Sequence, residues 1–132
     1  MDNLLDYFKF NEGKAEKFPN IKKMDMDGYV VYLGRDARSN DHLTFNIANP
    51  EDYWFHVKGI PGSHVVIRVK DKLPTKEVIK AAAELAKKNS KIDKSKNTCT
   101  VVYCQRKFVK KESNMKDGEV RVDYINAHEI NI

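Results

Sequence analysis

The sequence is poor in the residues that disulfide-bonded or metal-bound scaffolds require. It contains two cysteines, Cys99 and Cys104, which are five residues apart, so on one strand their side chains would point to opposite faces. We therefore expect reduced thiols and no disulfide. The four histidines show no H-x-x-x-H or H-x-E spacing, and no C-x-x-C pair accompanies them. We predict neither a metal nor another cofactor.

Apolar runs long enough to cross a membrane are also missing, since no stretch approaches the roughly 20 residues that a span needs. The first apolar cluster contains Asp2 and Asp6, which is atypical of a signal peptide. There is no internal repeat or low-complexity segment. With 132 residues, 41% of them hydrophobic, the chain suits one domain with a modest core. We predict a cytoplasmic protein without a membrane partner.

Acidic residues are scarce in one part of the chain. The net charge is +5, yet residues 87–116 carry ten lysines or arginines against two acidic residues, so this segment is +8 and the remainder −3. Within it, residues 106–111 interleave cations with Phe108, as surfaces that neutralise phosphates and stack on bases do. Lys107, Lys110 and Lys111 are therefore predicted phosphate contacts. A solvated surface is the competing explanation, since most charge runs are of that kind.

The densest mixture of aromatic, histidine and basic residues lies at residues 52–68. Two runs of β-forming residues, 53–57 and 65–69, flank a Gly-Ile-Pro-Gly turn. Because side chains alternate along a strand, Trp54, His56 and Lys58 should share one face and the residues between them the other. We expect the face with Trp54, His56 and Lys58 to bind a ligand and the other face to lie in the core. Trp54 itself is expected either to stack on a base or to be half-buried.

Hydrophobic periodicity and turn residues predict a single α+β domain, with a mostly antiparallel or mixed sheet and one main helix packed on it. Before the central stretch we predict a short helix after Asp2, an irregular segment at 11–27 and a strand at 29–33. A short helix follows, capped by Ser39 or Asn40 and ended before Pro50. After the central stretch we predict the main helix at about 75–90, with Thr75 as its N-cap, and strands at 98–104 and 119–125. The last residues are expected to close the sheet.

The central stretch leaves other chemistries open. Ser63 and His64 are a nucleophile and a base by type, but neighbours on a strand point to opposite faces and no nucleophile elbow surrounds them. His56 and His64 with Asp52 are the candidates for an acid–base site. The turn at 59–62 matches the GXXG spacing of KH domains, although its flanks are β-like. The amides of Gly62, Ser63 and His64 either hold a phosphate or form a plain structural turn.

At this stretch the sequence resembles the NFACT-R family, the C-terminal RNA-binding domain of bacterial fibronectin-binding protein A-like proteins and of their archaeal and eukaryotic relatives in ribosome-associated quality control. The signature reads Asp52-x-Trp54-Phe55-His56-Val57-Lys58-x-Ile60-Pro61-Gly62-Ser63-His64-Val65-x-Ile67-Arg68. Further matching residues are Asp27-Gly28-Tyr29, Gly34-Arg35-Asp36, Asn40-Asp41, the alanine-rich helix around 81–86, Tyr103-x-Gln105-x-Lys107 and Lys110-Lys111. The resemblance covers about residues 25–132, which we predict as the domain, with residues 1–24 as a lead-in. Residues 112–116 replace a stretch that contains proline and glycine in the family.

The resemblance implies an α+β domain that binds RNA, with tRNA and the ribosome as partners of the full-length relatives. We predict an RNA-binding module for tRNA or ribosomal RNA, linked to translation or ribosome-associated quality control, in preference to an enzyme. Supporting roles, such as orienting cations or capping turns, are predicted for Asp36, Asn40 and Asp52. The residues predicted to contact RNA are Arg35, Trp54, His56, Lys58, Gly62, Ser63, His64, Arg68, Lys107, Lys110 and Lys111.

Two alternatives from other functional classes stay open at this point. One is an RNA-modification enzyme or its accessory subunit, in which Asp52, His56 and His64 would act as acid–base groups. The other is a protein-interaction adaptor on the ribosome, which would bind its partner through an apolar patch.

Overall fold

The fold is organised around a six-stranded antiparallel sheet with the strand order β1-β2-β4-β3-β5-β8. The computed structural model describes Phe18 and residues 20–93 and 95–132, so the helix predicted after Asp2 lies outside the described residues. The strands of this sheet are β1 (Ile21–Met26), β2 (Tyr29–Gly34), β3 (Tyr53–Val57), β4 (Val65–Ile67), β5 (Thr100–Gln105) and β8 (His128–Asn131). The predicted α+β class is confirmed, as are the strands predicted at 29–33, 53–57 and 98–104, within one or two residues.

The first two strands form a hairpin that the sequence analysis missed. Residues 21–26 were predicted to be irregular, but they pair with β2 in the register Met26↔Tyr29, which leaves a two-residue turn. Asp27 and Gly28 both have positive φ, 53° and 87°, as the tight hairpin turns that match strand twist require. The amide of Gly28 also donates to a carboxylate oxygen of Asp25 at 2.9 Å. The prediction of an irregular segment is therefore wrong for β1.

The fold has a short helix, α1 (Ala37–His42), and a main helix, α2 (Lys76–Lys88). α2 covers one face of the sheet. As predicted, Thr75 is the N-cap: its hydroxyl accepts from the amide of Val78 at 3.2 Å. Val78 and three alanines of α2 are buried against strand residues that include Phe55, Val65 and Val101. The alanines permit close approach of helix and sheet, which is why this face is densely packed.

The opposite face is covered by short elements and holds a second apolar cluster. α1 spans Ala37–His42 and continues into a π-helical turn at Leu43–Ile47. Its N-cap is Asp36, whose carboxylate accepts from the amide of Ser39 at 2.7 Å, so the predicted capping by Ser39 or Asn40 is wrong. The helical segment ends before Asn49 and Pro50, as predicted. The buried members of this cluster are Leu43, Trp54, Val66, Val102, Cys104 and Val109.

A small second sheet completes this cover. It pairs β6 (Val109–Lys110) with β7 (Arg121–Val122), and a 3-10 turn at Arg106–Phe108 leads from β5 into it. The strand predicted at 119–125 is therefore shorter, because Asp123 caps a 3-10 turn at Tyr124–Asn126. β8 then pairs with β5, which confirms that the last residues close the sheet.

The two cysteines face opposite sides of the sheet, as their spacing predicted. Cys99 packs against the cluster under α2, whereas Cys104 is buried in the cluster under α1, and both thiols are free. Burial raises the pKa of the Cys104 thiol to about 12, so this thiol stays protonated and unreactive at neutral pH.

Candidate functional site

A groove of about 790 Å³ lies on the side of the sheet that carries α1. One wall is the turn between β3 and β4, residues 59–62, and the other is formed by residues 116–120 of the segment between β6 and β7. Tyr124 and His56 also line it. The basic residues that line the groove are Arg35, Lys58, Lys91 and Lys116.

Three of these cations are uncommitted. Within the part of the chain that the structure describes, the side chains of Arg35, Lys91 and Lys116 make no hydrogen bond or ion pair, and all three residues are exposed. Lys58 differs, because its ammonium is 2.6 Å from the carboxylate of Glu129. That hydrogen bond raises the pKa of Lys58 above its ordinary value. An exposed pair of this kind is weak and can exchange partners when an anion arrives.

His64 belongs to the buried framework beneath the groove. It is 1% exposed, and its Nδ1 lies 2.7 Å from the hydroxyl oxygen of Thr44. The indole N–H of Trp54 donates to the same oxygen at 3.2 Å, so the Thr44 hydroxyl joins the two rings. Burial, reinforced by the neighbouring His56, lowers the pKa of His64 to about 3, so the imidazole is neutral at neutral pH.

His56 remains half-buried at the groove. Its ring stacks against Trp54 with 5.9 Å between centroids and meets His64 edge-on at 5.3 Å. Burial lowers the pKa of His56, although a hydrogen bond to the backbone of Gly62 partly opposes this shift. A neutral imidazole at this place offers hydrogen-bonding capacity without adding a charge.

The expectation that Trp54 lies on an open binding face is wrong. Trp54 is on the predicted strand face with His56 and Lys58, but it is 0% exposed because the π-helical turn after α1 and the β6–β7 pair cover it. It has no surface on which a base could stack. Of the three residues that alternate along this face, the structure brings only His56 and Lys58 to the groove with an accessible side chain.

The turn at Gly62, Ser63 and His64 is a structural turn. The amide of Ser63 donates to the carbonyl of Asn89 at 3.1 Å, and the amide of His64 donates to Asn40 Oδ1 at 3.0 Å. The Asn40 side chain also donates to the carbonyl of Gly62 at 3.1 Å, which is the supporting role predicted for Asn40. A phosphate held by the Ser63 and His64 amides is therefore excluded, because both donors are already used.

Asp52 and Arg68 form a buried ion pair away from the groove. The Asp52 carboxylate is 0% exposed and lies 2.9 Å from the Arg68 guanidinium. It also accepts from the amides of Asn49 and Val69, each at 2.8 Å. Asp52 thus orients an arginine, as predicted, but Arg68 is structural and does not line the groove. Since the carboxylate is saturated by these donors, it does not join His56 and His64 in an acid–base site.

The predicted lysine trio has three different environments. Lys110 is exposed and unpaired within the described residues, while Lys107 lies 3.0 Å from a carboxylate oxygen of Glu51. Lys111 is committed to structure: its ammonium contacts Asp41 at 3.0 Å, the carbonyl of Glu119 at 2.8 Å and the carbonyl of Lys116. Lys111 thereby fixes the wall of the groove and has little capacity left for a phosphate.

Lys91, Lys116 and Tyr124 are among the groove residues that were not predicted as contacts. Lys91 and Lys116 belong to the basic segment at 87–116, but its charge count gave no means of separating free from paired lysines. Tyr124 lies in a segment predicted to be a strand, and its 3-10 turn leaves it 54% exposed. Asp36, predicted as supporting, caps α1 and lines the groove.

Among residues 20–93 and 95–132, no group of three or more histidine, cysteine or acidic side chains could hold a metal ion. Over the same residues, none of the helices is both long and apolar enough to traverse a bilayer.

The comparison with protein families is decisive at this point. Residues 17–123 match the model of the NFACT protein RNA binding domain. The chain belongs to this family. Over 96 residues it is 38% identical to the Rqc2 homolog RqcH of Bacillus subtilis, covering 73% of this chain and 16% of that protein. It is also 34% identical over 97 residues to coiled-coil domain-containing protein 25 of Mus musculus, covering 70% of this chain and 46% of the relative.

A solved structure supports the same assignment. The C-terminal part of the fibronectin/fibrinogen-binding protein from Streptococcus suis superposes with a TM-score of 0.74 at 34% identity, covering 86% of this chain and 44% of that one. The chain thus spans about a sixth of the length of RqcH and less than half of the mouse relative. The resemblance stated from the central signature is confirmed.

Proposed function

We propose that this chain is an RNA-binding module of translation that contacts tRNA or ribosomal RNA in the cytoplasm through the groove and its basic rim. The observation that carries the proposal is the set of uncommitted cations Arg35, Lys91 and Lys116, which line one groove in a domain of an RNA-binding family. These cations would neutralise the negative charges of several phosphates along an RNA backbone. The relatives named Rqc2 homolog RqcH favour a role in ribosome-associated quality control.

The charge pattern of the domain favours a polyanion over a small anion. Of the three amides predicted to hold a single phosphate, those of Ser63 and His64 are used internally. The free cations instead come from three separate segments around the groove. Arg35 directly follows β2, Lys91 lies shortly after α2, and Lys116 lies between β6 and β7. Lys110 is exposed on β6, which extends the basic surface beyond the groove.

The test is fluorescence anisotropy with a bulk tRNA pool and a DNA duplex of matched length, across a salt series. The triple variant Arg35→Gln, Lys91→Gln, Lys116→Gln should bind tRNA more weakly, and its salt slope should fall by about 2, since each phosphate contact contributes about 0.7 to 0.9. The matched control neutralises Lys23, Lys76 and Lys80, which are exposed and do not line the groove.

Equal salt slopes for the two triple variants would contradict the proposal, because the groove cations would then be no different from other surface lysines. A protein that binds no RNA at low salt would contradict it outright. Ribosome pull-down that survives the groove variant but is lost on replacing Ile125, which is 94% exposed, would instead favour the adaptor alternative.

A further inference from the structure

We infer that the groove accepts an unpaired nucleotide, with its base against Tyr124 and His56 and its phosphates at Arg35, Lys91 and Lys116. This inference rests on the proposed RNA binding and goes beyond it, because it separates single-stranded from double-stranded RNA. A duplex keeps its base faces stacked on neighbouring bases, whereas an unpaired base offers a free face to an aromatic side chain.

The size and lining of the groove support a nucleotide rather than a bare phosphate. A volume of about 790 Å³ lies within the range of sites that enclose a small organic ligand, roughly 300 to 1,000 Å³. Partly exposed apolar side chains from several segments, Ile60, Val120 and Val122, line it together with the cations. Apolar side chains do not stabilise a charged phosphate, but they make favourable contacts with the faces of a base.

Tyr124 is the aromatic side chain best placed for stacking. It is 54% exposed and lines the groove, whereas Trp54 is fully buried. The ammonium of Lys58 lies 5.4 Å from the Tyr124 ring centroid, so Lys58 is the cation next to this ring. The exposed remainder of the ring is left for a ligand.

The polar groups of the groove match the edge of a base. His56 lines the groove as a half-buried imidazole, and Asp117 and Glu119 line it as carboxylates. Carboxylates accept hydrogen bonds from the amino groups of bases but repel phosphate. Their presence beside free cations therefore fits a ligand with both a base edge and a phosphate, which a nucleotide provides.

The experiment compares a fluorescein-labelled 12-nucleotide single-stranded RNA with the same strand in a blunt-ended duplex, by anisotropy with the whole chain. The wild-type protein should prefer the single strand. Tyr124→Ala should weaken single-strand binding about 5-fold or more with an unchanged salt slope, since stacking is not ionic, and should leave duplex binding unchanged. Tyr124→Phe should restore binding, and Ile125→Ala, the exposed neighbour outside the groove, should bind like the wild type.

The outcomes distinguish this inference from the proposed function. If both RNAs bind equally, or if Tyr124→Ala binds the single strand like the wild type, the nucleotide site is overturned while cation-dependent RNA binding stands. If neither RNA binds, or binding ignores the Arg35, Lys91 and Lys116 substitutions, both are overturned. Circular dichroism of each variant confirms folding, which an exposed turn residue should not disturb.

Discussion

The buried histidine beneath the groove predicts a specific loss of stability in mild acid. His64 is 1% exposed, and its pKa falls from an ordinary 6.5 to about 3, first because of burial and second because of His56 nearby. The ammonium of Lys111 also disfavours a second positive charge there. Between pH 6.5 and about 3, His64 is therefore protonated in the unfolded chain but neutral in the folded chain.

The sign and size of the change in the free energy of unfolding follow from the difference between the folded and unfolded pKa of His64. The folded pKa is depressed, so the neutral imidazole stabilises the fold above pH 6.5, and this contribution declines as the pH falls toward 3. Between pH 7 and pH 5 the free energy of unfolding should drop by about 2 kcal/mol on account of His64, because each pH unit below 6.5 costs about 1.4 kcal/mol. The lowered pKa of His56 adds to the drop in the same direction.

The assay is urea unfolding at pH 7, 6 and 5, monitored by circular dichroism and by the fluorescence of Trp54, the single tryptophan of the chain. His64→Gln removes the titrating group and should flatten the pH dependence by about 2 kcal/mol, even if its stability at pH 7 is lower. His56→Gln should remove only the smaller part. Parallel pH profiles for the wild type and His64→Gln would refute the reasoning that His64 is held neutral.

Three further substitutions test the framework of the groove. Thr44→Val leaves the indole of Trp54 and Nδ1 of His64 without their partner, so urea unfolding should show a loss of about 2 kcal/mol or more, whereas Thr44→Ser should lose much less. Gly62→Ala would place a methyl carbon 2.9 Å from the Cα of Ser90, and thermal unfolding should show a cost of about 1 to 3 kcal/mol; wild-type stability would mean that this contact is not tight. Lys111→Met removes an ammonium with three partners, so amide hydrogen exchange at residues 116–119 should accelerate about tenfold or more, while Lys110→Met should leave it unchanged.

The parts of the fold that were predicted from sequence have their own local signals. α2 has a capping threonine, a helical apolar stripe and basic residues in its last turn, and all of these act within one segment. The strands at 53–57 and 29–33 have β-branched and aromatic runs, and glycines lie directly on both sides of the second one. β1 has no such run, since it is a mostly exposed edge strand, but the Asp27-Gly28 turn before β2 was a usable hairpin signal.

The candidate site was harder to predict because partners distant in sequence decide which side chains are free. Alternation correctly grouped Trp54 with His56, yet the cover over Trp54 comes from the π-helical turn at Leu43–Ile47, which precedes β3, and from β6, which follows it much later in the sequence. Similarly, Lys110 and Lys111 are adjacent in sequence, but only Lys111 meets Asp41, which is 70 residues earlier. Charge counts locate a basic segment and cannot say which of its cations are paired.

The central claim is that RNA contacts the groove face, and the most direct test maps that contact residue by residue. Isotopically labelled protein is titrated with tRNA while its backbone amide resonances are recorded by NMR. We predict the largest shifts at the amides of residues 59, 60, 62, 91 and 116–119, around the free cations, with little change at Lys76 and Lys80 on α2. Shifts concentrated on α2 or on β1, with the groove amides unmoved, would contradict it.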